Sequence, residues 1–253
     1  MPYRHAHWVL LALLAPLVAI GFWPDYFGKL SGASFAFHVH GLTAVAWLLL
    51  VTAQSWSIHA RRNALHRQLG LAVFAAVPLF VAGAVLVFQS MAAKYLGGHP
   101  FYGMFGPMLG MHDVIATVTL IAMVSLALRH RRKVGIHAGY MLGTALLVLP
   151  PVIERLPILP HGMHLSEGLP LLLALILAAR NRKSAEPMLV VAAVMAVQIV
   201  QFHTIGASEG WAHTFGAVAG LTGAPLALAA VAIAALSLFA LAWGWRAGRR
   251  RAA

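Results

Sequence analysis

Cysteine is absent from this chain of 253 residues, and acidic side chains number only six. The first absence excludes disulfides, thiolate metal ligands and iron–sulfur clusters. Charge of any kind is scarce, at 9% of residues, where a soluble domain carries about a quarter. What fills the space is apolar: 61% of the chain is hydrophobic, in runs long enough to cross a bilayer. Soluble segments and low-complexity linkers are lacking as well. The fold class expected is therefore all-α, a polytopic membrane helix bundle in a single membrane domain over residues 1–253.

The net charge of +12 would suit a nucleic-acid binder, but its distribution excludes one. Basic residues gather in alternate gaps between the apolar runs: Arg4; Arg61, Arg62 and Arg67; Arg129, Arg131, Arg132 and Lys133; Arg180, Arg182 and Lys183; and the tail from Arg246 to Arg251. The other gaps hold only Lys29, Lys94 and Arg155. This is the positive-inside pattern, which predicts an inner (plasma) membrane protein with both termini in the cytoplasm. The basic tail is expected to rest on anionic headgroups. The N-terminal run from Trp8 to Trp23 is followed by Pro24 and Asp25 rather than a small-residue cleavage site, so it is expected to stay as the first span.

Hydropathy and charge alternation together predict eight spans, at about 8–23, 35–58, 66–90, 106–129, 137–157, 161–180, 187–206 and 222–245. The sixth is marginal. Its strongly apolar part, Leu169 to Ala179, reaches span length only with His161, His164 and Glu167 included.

Fourteen histidines stand out against this background, and four of them repeat. His40 and His66 are 26 residues apart, His112 and His137 are 25 apart, and each gap holds an apolar run and a basic turn. The turn histidines His59 and His130 lie seven residues before His66 and His137 respectively. Two equivalent helix hairpins would make a four-helix core over residues 35–157, with one histidine pair toward the outside (His40, His112) and one toward the inside (His66, His137). An imidazole in hydrocarbon needs a partner. Two neutral imidazoles on opposite helices suit axial ligation of a haem iron, with the other ring nitrogen bonded to a carbonyl or carboxylate. Gly41, Gly70, Gly110 and Gly143, near these histidines, would admit a flat macrocycle.

The order His40-Gly41 early in one span, Leu65-His66-Arg67 opening the next, His112 early in the third and His137 with Gly143 in the fourth resembles the cytochrome b561 family. That resemblance covers residues 35–157. It implies two b-type haems, held by His40 with His112 and by His66 with His137, and electron transfer across the bilayer. It also implies an anionic reductant docking near Arg61, Arg62 and Arg67. Two departures are the eight expected spans, where that family has six, and the outer acidic groups. The segment Leu65-His66-Arg67-Gln68-Leu69-Gly70 is also similar to an LHRxLG segment of bacterial polytopic membrane proteins, a likeness that implies no activity.

The outer acidic groups form a competing constellation. His38, His40, His112, Asp113, His161, His164, Glu167 and His203 fall at one depth and could bind zinc or non-haem iron. Glu154 or Glu167 would then be the general base of an enzyme acting on a lipid-like or periplasmic substrate. A third reading is a proton- or metal-coupled transporter using the same polar chamber. His5, His7, His99 and His213 are expected at interfaces or in loops, His59 and His130 against headgroups, and the tryptophans, Trp47 among them, as mostly interfacial anchors. The partners implied are the lipid bilayer and, for a redox protein, an electron donor and acceptor.

Overall fold

The computed structural model describes residues 3–156 and 164–250; His161 lies outside them. Among the described residues the chain is all helix and turn, with no strand. Nine helices order it: α1 (Ala6–Phe22), α2 (Phe35–His59), α3 (Asn63–Leu96), α4 (Pro100–Arg129), α5 (Val134–Ile153), α6 (Leu165–Arg180), α7 (Glu186–His203), α8 (Glu209–Ala217) and α9 (Gly223–Arg250). The apolar runs set their positions, and local chemistry sets several of their ends. Pro100 opens α4, where a missing N–H costs nothing, and the Ser208 hydroxyl accepts from the Trp211 N–H to cap α8. Arg129 and Arg180 close α4 and α6, where a cation meets the negative end of the helix dipole.

Six helices (α2, α3, α4, α5, α7 and α9) are long and apolar enough to cross a membrane, and the fold is that of a multi-pass membrane protein. Every expected span coincides with a helix, but two are short. The 16 residues of α6 reach about 24 Å, against a hydrocarbon core of about 30 Å. The α1 helix is likewise shorter than the six. Helix α8 is an addition that hydropathy did not pick out.

The packing builds a ring. Helix α2 packs on α3, α3 on α4, α4 on α5, and α5 back on α2, so α2 and α4 stand on one diagonal and α3 and α5 on the other. The remaining helices cover this ring. Helix α9 lies against α3 and α4, α7 against α4 and α5, and α6 against α7 and the end of α5; α1 leans on α2, and α8 on α3 and α4. Inside, Trp47, Val77, Val81, Met123, Val124, Tyr140 and Met195 are buried. Outside, Leu42, Leu79, Val118, Val200, Leu228 and Phe239 are exposed, Phe239 to 71%. Such a surface is stable only against lipid, since these side chains would otherwise be left in water.

One anchor is misplaced by sequence reasoning. Trp47 is fully buried rather than interfacial, and its indole N–H donates to Thr144 Oγ1 at 3.2 Å, joining α2 to α5 in mid-bundle. Its position within a 25-residue helix, not its residue type, decides this. Close helix approach depends on two glycines. A Cβ on Gly83 would sit 3.0 Å from the His40 Cα, and one on Gly244 would collide with the Ser125 carbonyl. Beside that contact the Ser125 hydroxyl donates to Ala240 O at 2.7 Å, fastening α9 to α4.

Candidate functional site

The arginine-rich turns define one end of the bundle, called here the basic end. His66 lies one turn into α3 and His137 one turn into α5, on the diagonal of the ring. Their ring centres are 6.4 Å apart with planes nearly perpendicular, at 85°. Each Nδ1 contacts a carbonyl at the end of the helix before it in the chain, His66 with Gln54 O at 3.1 Å and His137 with Ala127 O at 2.9 Å. A carbonyl only accepts, so both rings are held with the proton on Nδ1 and the lone pair on Nε2. The Gln54 amide adds a bond from Nε2 to the His66 carbonyl, at 3.0 Å. These two histidines thus share an anchoring scheme as well as a sequence repeat. His66 and His137 would be the residues to hold a metal centre at this end, through Nε2.

The arginines around this pair are organised. The Arg131 guanidinium donates to Leu128 O and Trp245 O, both at 2.9 Å, and lies over the Trp245 ring at 4.3 Å. Burial, with Arg132 and Arg249 nearby, pushes its pKa down from the usual arginine value. Arg62 lies over Trp56 at 4.8 Å. Tyr140 donates to Glu186 Oε1 at 2.7 Å, tying α5 to the start of α7.

At the far end the second diagonal carries His40 and His112, but their immediate partners differ. The His40 ring stacks on Phe80 with centres 5.1 Å apart, and its buried Nδ1 has no hydrogen-bond partner. His112 Nδ1 faces Glu167 Oε1 at 3.7 Å. Glu167 is brought to this ring from α6. Asp113, the next residue of α4, lies in the field of Arg155.

From Glu167 the polar contacts continue. Ser166 donates to its Oε2 at 2.8 Å, and His164 Nδ1 stands 3.5 Å from the same oxygen. The opposite edge of the His164 ring meets His203, with Nε2 to Nε2 at 2.7 Å. His164 precedes α6 in a left-handed conformation (φ 50°), which costs an L-residue about 1–2 kcal/mol and turns its ring into this position. On α7, Gln198 and Gln201 donate to the carbonyls of His112 and Met108, and the Oε1 of each is buried without a partner.

The other candidates disperse. His38 hydrogen-bonds with Tyr26 OH at 3.0 Å, so His38 and His40 serve different contacts. Arg155 pairs with Asp25 at 3.9 Å and donates to Pro151 O. Glu154 follows α5 and is engaged in an interaction of its own. Among the described residues, no three His, Asp or Glu side chains group into a metal-ligand set. The glycines expected to admit a macrocycle meet protein instead: Gly41 faces Tyr26, Gly70 faces Gln54, Gly110 faces Phe215 and Phe88, and Gly143 faces Met123 and Val191. His59, expected against headgroups, bonds Ser55 O and stacks on His7.

No family model, no curated protein and no solved structure matches this chain.

Proposed function

We propose that this protein is a membrane redox carrier that binds b-type haem between histidines of diagonal helices and passes single electrons. The reading rests on one observation above all, the His66–His137 pair. Two helices that are not ring neighbours present imidazoles whose Nδ1 atoms are both secured by carbonyls, leaving both Nε2 lone pairs for a metal. Bound there, haem would supply a one-electron couple. The chain's own contribution is orientation and field. The Gln54 and Ala127 carbonyls fix each tautomer with the lone pair on Nε2, and the positive charge of Arg131, which reaches His137, favours an added electron. By the positive-inside rule the basic end faces the cytoplasm of an inner membrane, and the turn with Arg61, Arg62 and Arg67 would dock an anionic electron donor.

His40 and His112 fit a second haem less well. Neither shows the carbonyl anchoring of the basic-end pair, and His112 is turned to Glu167. One haem per chain, at the basic end, is the expected stoichiometry. Purified protein should show a sharp b-type band on reduction, and His66→Ala or His137→Ala should each abolish it while His40→Ala retains it. Colourless wild-type protein, or full pigment in His66→Ala, would reject this reading.

A further inference from the structure

Both nitrogens of His164 are used, and they face different partners. Nε2 meets His203 at 2.7 Å and Nδ1 meets Glu167 at 3.5 Å. A chelating site would aim lone pairs at one point; this ring instead lies between two groups, as a relay does. The sequence of contacts runs from exposed His203 on α7, through half-buried His164, to buried Glu167 on α6 and buried His112 on α4. We propose that His203, His164, Glu167 and His112 form a proton-transfer chain carrying protons from the far-end surface to the His112 imidazole.

The step balances without any oxidant or second substrate. His203, protonated from solvent, gives its Nε2 proton to His164 Nε2. The His164 cation releases the proton on Nδ1 to Glu167 Oε2, and the carboxyl, after rotating to bring that O–H to the His112 side, delivers the same proton to His112 Nδ1. One proton enters at the surface, one charge arrives at His112, and Glu167 returns to carboxylate. The Ser166 hydroxyl, donating to Oε2 at 2.8 Å, supports that anion between transfers.

The surroundings suit a mobile positive charge. On α4 the neighbours are His112 itself and the Asp113 carboxyl beside it. On α7 they are His203 and the uncharged Gln198 and Gln201, whose buried Oε1 atoms are unpartnered acceptors on the helix that packs against His112. The left-handed backbone of His164 is what turns its ring between α6 and α7. The chain stands apart from the haem reading, since it touches neither His66 nor His137.

The test uses the full chain in lipid vesicles, with a rapid pH step from about 8 to 5 across the histidine range and infrared detection of imidazolium ring modes. A band lost in His112→Phe reports protonation of that side chain. In His164→Phe and in Glu167→Gln the band should grow to its usual height about 100-fold more slowly. His203→Ala, a change at an exposed site that leaves folding intact, should also slow it, and added imidazole should restore the rate. A merely structural role for His203 predicts no such rescue. Wild-type kinetics in His164→Phe, or His203→Ala kinetics indifferent to imidazole, would overturn the proposal, as would the absence of any His112-dependent band.

Discussion

A histidine in a membrane helix is decided by what holds its second nitrogen. His66 and His137 each spend Nδ1 on a carbonyl, His112 spends it on a carboxylate, and His40 leaves it without a partner. Four residues that look equivalent in a repeat therefore have three chemistries. The repeat and its depth were legible; the partners were not, because Gln54 and Ala127 act through main-chain carbonyls that carry no residue-specific signal. Glu167 lies 55 positions beyond His112, and only packing brings them together. Trp47 offers a simple residue-scale check. Thr144→Val leaves its indole N–H buried and unpaired, and should cost about 1–3 kcal/mol, read as a lowered thermal midpoint in detergent. Thr144→Ser keeps the hydroxyl and should retain most of that stability.

At the level of elements, small residues set which helices touch. Gly83 admits α2 at His40, and Gly244 admits α9 at Ser125. A leucine at Gly83 has no flexible neighbour to displace, because the atoms opposite are the His40 main chain. Gly83→Leu should therefore push α2 off α3 and lower thermal stability by more than 2 kcal/mol, as overpacking of a tight contact does. Gly98→Leu provides the contrast at a positive φ of 72° with open space around it, where only local backbone strain is expected. Hydropathy located the long helices because each is a continuous apolar run. It could not place α8, whose nine residues mix Glu209 and His213 with aromatic side chains. Nor could it say that α6 would stay at 16 residues, since that depends on where the chain turns at His164.

At the scale of the whole molecule, the described residues form a four-helix ring with five helices laid around it, and its sidedness is open to direct measurement. Since the chain has no cysteine, single introduced ones can be labelled without background. Arg62→Cys and Lys133→Cys should react with an impermeant maleimide only from the cytoplasmic side, and Gly98→Cys and Ser208→Cys only from the opposite side. Asn181→Cys decides whether α6 crosses: reaction on the same side as Arg62→Cys is expected of eight crossings. Composition and hydropathy sufficed for membrane class and the positions of the long helices, because burial in lipid filters residue types along a single segment. Which imidazoles meet, which carboxylate reaches them and which tryptophan enters the core were settled only when the helices packed. Those contacts join α2 with α5, α3 with α5 and α4 with α6, and no local pattern records which faces of separate helices will turn toward each other.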